Sequence, residues 1–361
     1  YVIICLRQNV IYKVPNIQKE GMDYMKHLLK KVFIMLWFLM PLLASCSFLP
    51  VTNSDYILEE DKKLTVYTSH KEEVYSPIIK EFEERTGIWV QVICGGTSEI
   101  LEQIAAESSN PICDVMFGGG VESLEAYSDY FIPYKYSQEE KLDMTYKSDS
   151  GKWIVFTKLP IVFVYNNKLV YETAAPKGWE DLLQERWKGK VAYADPHKSG
   201  SGYTILTTLM QVMGKDNWDT MERFSYILDG KILGDSSEVI NEVASGTKLV
   251  GITLEESALK RIAEGMDITM VYPIEGTSAV PDGSALIMNG PNEKNARLFL
   301  DFVISEDVQR MIADYCYRRP VRKDIPDSGT WGKEARFINY DIKWASDNRS
   351  EILRKWDLLN K

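Results

Sequence analysis

The pattern of apolar and polar positions predicts short strands that alternate with amphipathic helices. A β-branched run at 64–68 predicts a strand, and a helix follows before Gly87. The apolar positions of that helix recur at helical spacing: Val74, Ile78, Ile79 and Phe82. The same order returns at 88–108 and again at 115–130. Strands that alternate with helices of this length predict βαβ units and a mainly parallel sheet.

A nearly continuous apolar run at 153–165 predicts a long buried strand, or a pair of strands, that crosses between two lobes. A second series of strands and helices follows, and the segment 273–277 is expected to cross back. We therefore expect an α/β fold of two lobes, each a mainly parallel sheet flanked by helices, with two crossover strands as a hinge. The expected first lobe is discontinuous, 63–160 with 277–361, including the tail to Trp356. The second lobe, 161–276, is inserted into it.

The first residues have the pattern of an export signal. Lys26, Lys30 and Lys31 precede an apolar run at 32–44 that is too short to span a bilayer, and Ser45 and Cys46 follow. This end resembles a bacterial lipobox, so we expect lipidation of Cys46 and a tether at 46–62. An ordinary signal peptide with an incidental cysteine is the alternative. Residues 1–45 are expected to be the signal peptide preceded by residues read from a region upstream of the gene, with the true start at Met22 or Met25.

Composition narrows the function classes. Hydrophobic residues make up 45% and charged residues 26% of the 361 residues, as in soluble globular proteins. The formal net charge of −10 argues against nucleic-acid binding. Three cysteines besides Cys46 follow the signal, Cys94, Cys113 and Cys316, and this odd number argues against a disulfide framework. Cys94 and Cys113 lie in strand-like runs, which predicts buried thiols.

The candidate site lies in four turns that join a strand to a helix. Together the four turns carry glycines and side chains with hydroxyl or imidazole groups. Glycine lets a ligand approach the backbone, and a helix N-terminus favours an anion. In open α/β sheets the ligand crevice lies at these carboxyl ends of the strands. We therefore predict a site for a small anionic solute, whereas the alternative is that these residues are only turn formers and helix caps. The turn residues are Ser69, His70, Gly96, Thr97, Ser98, Gly119, Gly120, Asp195, His197, Ser199, Gly200 and Ser201.

His70 and His197 are the two histidines that follow the signal segment, and both lie in these turns. Either can donate a hydrogen bond to a phosphate or a carboxylate, or can simply cap a helix. Glu255 and Glu256 begin a predicted helix, where one of them accepts hydrogen bonds from solute hydroxyls or both stabilise the helix dipole. No compact ligand spacing indicates a metal, and we expect neither a metal nor a cofactor. The catalytic motifs of hydrolases, phosphate-loop enzymes and zinc proteases are absent from the sequence, so we do not expect an enzyme.

Several stretches resemble type II extracellular solute-binding proteins of ABC transporters: 66–70, 82–88, 114–120, 194–203, 279–287 and 299–309. The resemblance covers residues 60–361. It implies a monomer with the two-lobed periplasmic-binding-protein fold that closes about hinges near Val162 and Glu275 around its solute. The closed form would dock on an ABC permease with its cytoplasmic ATPase. The protein would be exported and held on the outer face of the cytoplasmic membrane by its lipid alone.

Within this superfamily the chain falls near binders of ferric iron, hexose phosphates, phosphoglycerate and aminoethylphosphonate. Ferric-binding relatives use adjacent tyrosines, and this sequence contains no Tyr-Tyr pair. The runs 68–70 and 195–197 resemble the hexose-phosphate binders more. That resemblance implies a sugar phosphate or other organophosphate, with its phosphate at the first two turns and at 199–201, and its hydroxyls at Asp195, His197 and Glu255. A ferric-iron importer and a solute-presenting receptor for a sensor kinase remain the alternatives.

Overall fold

The computed structural model describes residues 60–360 apart from residue 216, residues 327–330 and residues 332–334. The expected signal segment, Cys46 and most of the tether lie outside the described residues. Within the described part of the chain, no helix is both long enough and apolar enough to cross a membrane.

Two β-sheets organise the chain, and we call each sheet with its packed helices a lobe. The strands of the first lobe are β1 (Lys63–Thr68), β2 (Trp89–Cys94), β3 (Val115–Gly120), β4 (Phe131–Ile132), β5 (Ile154–Lys158), β10 (Pro281–Ile287) and β11 (Arg319–Pro320). The strands of the second lobe are β6 (Ile161–Asn166), β7 (Val191–Ala192), β8 (Val250–Leu254) and β9 (Ile268–Val271).

Helices cover both sheets. In chain order they are α1 (Glu72–Thr86), α2 (Thr97–Ala106), α3 (Val121–Ala126), α4 (Trp179–Leu182), α5 (Gly200–Met213), α6 (Trp218–Leu228), α7 (Ser236–Ala244), α8 (Glu255–Ala263), α9 (Glu293–Val303), α10 (Glu306–Cys316), α11 (Ile342–Asp347) and α12 (Arg349–Leu359). Short 3-10 turns lie at Glu60–Lys62, Ser128–Tyr130, Glu139–Lys141, Glu172–Ala174 and Glu185–Trp187.

The helix α1 shows how local sequence sets these elements. Its four predicted apolar positions are all buried against the first sheet. The helix ends at Gly87, which adopts a φ of 69° and donates its N–H to the Glu83 carbonyl at 2.8 Å. Glycine is the residue that reaches this left-handed conformation without steric cost, so it stops the helix at this point.

Both sheets are mixed, which corrects the expectation of mainly parallel sheets. In the first sheet β1 pairs in parallel with β2 and β3, but β10 runs antiparallel to β3, β4 and β5, and β11 runs antiparallel to β5. In the second sheet β7 and β8 are parallel, whereas β6 is antiparallel to β8 and β9. Parallel neighbours need a crossover helix. The strands that carry the chain to the other lobe and back need no such helix between them, so they can pair antiparallel with their neighbours.

The apolar run at 153–165 forms two strands, as one of the two interpretations expected. The chain leaves the first sheet after Lys158, enters the second at Ile161 and returns to the first at Pro281. The two crossings lie side by side, because the Ile161 N–H donates to the Ser278 carbonyl at 3.2 Å and the Thr277 hydroxyl donates to the Ile161 carbonyl at 2.8 Å. These bonds make the two crossings one paired hinge. The lobe boundaries drawn from the sequence remain a prediction.

The C-terminal helix packs differently from the expectation that the tail lies on the first lobe. Ile352 and Trp356 of α12 are buried in the core of the second lobe. The Trp356 ring contacts Tyr193 at 5.6 Å and Phe224 at 6.1 Å between ring centroids. Because aromatic side chains bury large apolar areas, this helix fastens the end of the chain to the second lobe.

Two cysteines from apparently similar strands have different environments. Cys113 is buried, and its burial raises the pKa of its thiol. Cys94 is exposed, which corrects the expectation of a buried thiol. It is the last residue of β2, where the strand leaves the sheet, and its thiol lies 3.3 Å from the Tyr75 hydroxyl.

Candidate functional site

A cleft of about 280 Å³ lies at the carboxyl ends of the strands, between the two lobes. It receives residues from all four predicted turns: Ser69, His70, Gly96, Thr97, Gly119, Gly120, Ser199, Gly200 and Ser201. The topology explains this convergence, since β1, β2 and β3 all end at one edge of the first sheet and β7 ends opposite them. The structure thus brings these residues together, while their contact with a solute remains a prediction.

Among the described residues, five helices of nine or more residues begin beside the cleft: α1, α2, α5, α7 and α8. A residue of the first turn lines the cleft in four of them, and for α1 the preceding residue, Lys71, does so. The residues before α1 and α8 are Lys71 and Leu254, and in the described structure their side chains do not cap these two ends. At the start of α2, the Glu99 carboxylate accepts the Gly96 N–H at 3.3 Å. Free N–H groups and aligned peptide dipoles at such ends attract negative charge. The cleft therefore combines several helix ends of the same polarity.

The lobes contact each other around the cleft through two glycines. A Cβ atom on Gly96 of the first lobe would lie 2.6 Å from the Lys198 carbonyl oxygen of the second. A Cβ atom on Gly200 of the second lobe would lie 2.5 Å from the Thr97 Oγ1 atom of the first. Only glycine permits approaches this close. The structure is therefore a closed one.

A buried hydrogen bond also joins the lobes beside these glycines. The Thr204 hydroxyl of α5 donates to Glu122 of α3 at 2.5 Å, and both side chains are buried. Burial raises the pKa of the Glu122 carboxyl, and this effect outweighs the opposing hydrogen bond from Thr204. The carboxyl therefore holds its proton more tightly than an exposed glutamate does.

Three predicted residues shape the turns instead of lining the cleft. The Ser98 hydroxyl is buried and accepts a hydrogen bond from Arg349 at 2.8 Å. The Asp195 carboxylate accepts the His197 N–H at 2.9 Å, which closes the turn before α5. The His197 ring lies 2.8 Å from Asp357 of α12. None of the three lines the cleft of this structure, and their contact with a solute stays a prediction.

Glu255 does not line the cleft either. Its side chain is 1% exposed, and it pairs with Arg319 at 2.6 Å and accepts a hydrogen bond from the Tyr272 hydroxyl. Glu256 lines the cleft in its place. Adjacent residues of a helix point about 100° apart, so a shift of one position moves the functional acid from one side to the other.

A buried charged cluster that was not expected from the sequence forms part of the cleft wall. Arg318 lies 2.6 Å from Asp282 and 3.7 Å from Glu256, and its Nη1 atom lies 3.4 Å from the His70 Nδ1 atom. Asp282 also accepts the Thr157 N–H at 2.7 Å. One signal existed in the sequence: Asp282 interrupts a buried strand, and charged residues are rarely buried without a partner.

Burial controls the charge states of this cluster. Burial lowers the pKa of His70 well below its ordinary value, and the Arg318 charge lowers it further, so the imidazole is neutral at neutral pH. Burial raises the pKa of Asp282, against the opposing effect of Arg318. A neutral histidine beside a paired arginine offers directed hydrogen bonds rather than a free positive charge.

The cleft offers two kinds of groups to a solute. N–H groups at helix starts, the Ser199 and Ser201 hydroxyls, Lys71 and Lys198 suit an anion. The Glu256 carboxylate suits hydroxyl donors. Among the residues that the structure describes, no three His, Cys, Asp or Glu side chains lie together in a way that could hold a metal ion.

Comparisons with known proteins identify the family. The family model described as "Bacterial extracellular solute-binding protein" matches residues 112–343, more than half of the chain. The chain is 26% identical over 304 residues to iron uptake protein A1 of Synechocystis sp., which covers 79% of this chain and 83% of that protein.

Two solved structures share the fold. The periplasmic binding protein AfuA from Actinobacillus pleuropneumoniae, with fructose-6-phosphate bound, superposes with a TM-score of 0.75 at 23% identity, covering 81% of this chain and 97% of AfuA. The ferric binding protein from Campylobacter jejuni superposes with a TM-score of 0.73 at 21% identity, covering 82% and 99%. Both have the two-lobed type II fold, which confirms the expected fold class. Relatives of this kind bind solutes and do not transform them, and this chain belongs to the bacterial extracellular solute-binding protein family.

Proposed function

We propose that this protein captures a small organophosphate, a sugar phosphate, in the cleft between its lobes and delivers it to an ABC permease with its cytoplasmic ATPase. The observation that carries the proposal is the convergence of five helix N-termini on one closed cleft that also contains a carboxylate. A phosphate and the hydroxyls of a sugar need these two kinds of partner in one site.

The phosphate is assigned to the space between the starts of α2 and α5. Gly96 and Ser199, on opposite lobes, line the cleft there, beside the close contact between the lobes, and the N–H groups of the two helix starts would donate to the anion. The Ser199 and Ser201 hydroxyls lie 2.9 Å from each other and add further donors. An anion held by both lobes would favour the closed form, because each lobe alone supplies half of its partners.

The sugar hydroxyls are assigned to Glu256 and Asp235, which replace Glu255 and Asp195 of the sequence-based assignment. Both side chains line the cleft, and Glu256 accepts a hydrogen bond from Ser257 at 3.0 Å. A carboxylate has several acceptor sites, so it can accept from a solute hydroxyl as well. This division gives the solute one orientation in the cleft.

Thermal unfolding of the purified protein tests the solute class. The panel contains hexose phosphates, phosphoglycerate, aminoethylphosphonate, inorganic phosphate and ferric citrate. A ligand at 100 times its dissociation constant stabilises a protein by about 2.7 kcal/mol, which is a readily measured shift. We expect a hexose phosphate to raise the melting temperature. Stabilisation by ferric citrate alone would overturn the organophosphate assignment in favour of iron.

We also propose that the protein is exported and anchored by a lipid on Cys46, which lies outside the described residues. Two acyl chains hold a protein stably on a membrane. Replacement of Cys46 by serine is expected to abolish acylation and release the protein from the membrane fraction. Metabolic labelling with a fatty acid and fractionation measure both effects, and unchanged labelling of the Cys46→Ser variant would contradict the anchor.

A further inference from the structure

Two consecutive acids of the second lobe meet two consecutive arginines of the first lobe. Glu255 and Glu256 begin α8, while Arg318 and Arg319 lie at the start of β11. Glu255 pairs with Arg319, and Glu256 lies 3.7 Å from Arg318. We call these four residues the inter-lobe ladder, with an outer rung (Glu255–Arg319) and an inner rung (Glu256–Arg318).

The outer rung is tight and lies outside the cleft. Glu255 Oε2 accepts from Arg319 Nε at 2.6 Å, and Glu255 Oε1 accepts from Arg319 Nη2 at 2.7 Å. The Glu255 N–H donates to the Pro160 carbonyl at 2.8 Å, so the rung lies at the first crossing between the lobes. A two-bond arginine–carboxylate pair has strict geometry, so separation of the lobes breaks it.

The inner rung is longer and lines the cleft. Glu256 and Arg318 both belong to its wall. The Arg318 side chain is 6% exposed, and its Nε atom has no hydrogen-bond partner in the described structure. A buried donor without a partner is costly, and a solute acceptor would satisfy it. The two rungs share adjacent backbone positions on both lobes, so a change at one affects the other.

We propose that the inter-lobe ladder stabilises the closed form of this protein. The outer rung holds the lobes together at the hinge, and the inner rung makes this stabilisation depend on the bound solute. The inference rests on the proposed function in one respect, namely that the solute binds in this cleft. The apparent affinity of a solute falls in proportion to the closed population. Loss of the outer rung therefore weakens binding of every solute without changing their order of preference.

The test compares Glu255→Gln, Arg319→Gln and the double variant with the wild type. Small-angle X-ray scattering without solute measures the closed population, and stopped-flow tryptophan fluorescence measures dissociation of the solute found in the thermal panel. Each single variant is expected to increase the radius of gyration and to accelerate dissociation on the order of tenfold. The double variant is expected to match the single ones, because both break the same rung.

Glu264→Gln is the matched control, since Glu264 lies just after the same helix and pairs with Arg261 within the second lobe at 2.7 Å. Glu255→Asp keeps the charge and shortens the side chain, and an intermediate effect is expected if Glu255→Gln does not fold. Scattering and dissociation equal to those of Glu264→Gln would overturn the proposal, as would additive losses in the double variant. Failure of every anion to bind would overturn the organophosphate assignment, while the solute-free scattering would still decide the role of the outer rung.

Discussion

Replacement of Gly96 by alanine is predicted to impair closure of the lobes without disturbing the fold. Gly96 has a φ of −64° and a ψ of 151°, a conformation that alanine adopts freely. Its added Cβ atom would lie 2.6 Å from the Lys198 carbonyl oxygen on the other lobe. A backbone oxygen cannot rotate away as a side chain can, so the contact is relieved only when the lobes move apart.

The size of the effect follows from this overlap. An ordinary Cβ contact begins at 3.4 Å, so the two groups must separate by nearly an ångström. Overpacking of this kind costs about 1–3 kcal/mol, and here only the closed form carries the cost. Because binding depends on closure, we expect solute affinity to fall roughly 5–150-fold. The solute-free protein should lose less unfolding free energy than this, because its lobes can open and relieve the contact without unfolding.

Isothermal titration calorimetry of the solute and thermal unfolding without it measure the two quantities. Gly234→Ala is the control, because a Cβ atom there meets nothing within 4 Å. Wild-type affinity in Gly96→Ala would refute the argument that the lobes meet at this glycine in the bound state. A large loss of solute-free stability would refute the claim that the contact belongs to closure alone.

Two further predictions concern stability. Trp356→Ala should cost about 3–5 kcal/mol of unfolding free energy in calorimetry, because this buried ring joins α12 to the second lobe. Trp89→Ala, at a site 59% exposed, should cost much less, and equal losses in the two variants would contradict the packing of Trp356. Burial raises the pKa of Glu122 in the folded state, so the protonated carboxyl stabilises the folded protein fully at a pH below the ordinary pKa of 4.5. This stabilisation is lost as the pH rises through the folded-state pKa. Denaturant titrations should therefore show wild type weakening relative to Glu122→Gln as the pH rises, and the opposite slope would contradict the raised pKa.

Local features of this fold were predictable from the sequence because short-range physics sets them. The helix faces of α1 and α2 follow from apolar spacing, and the four turns follow from glycine and hydroxyl residues after strands. Since the carboxyl ends of neighbouring parallel strands share an edge, the turns at Ser69, Gly96 and Gly119 were correctly expected to meet at one cleft.

Long-range features were not predictable in the same way. An amphipathic pattern shows that α12 buries a face, but not which lobe receives Trp356. Apolar periodicity likewise carries no strand direction, so the antiparallel course of β10 was missed. The sequence placed Glu255 and Glu256 at a helix start, as the structure does, but it could not show which of the two pairs with Arg319 and which lines the cleft. Arg318 was missed because only tertiary structure brings its partners together.

The most direct test of the central claim is calorimetric titration of the purified protein with a hexose 6-phosphate and with the same hexose without phosphate. We expect saturable binding of the phosphorylated sugar and no measurable binding of the parent sugar, because the helix N-termini of the cleft select for the anion. Equal binding of both sugars, or binding of ferric citrate with no binding of the hexose phosphate, would contradict it.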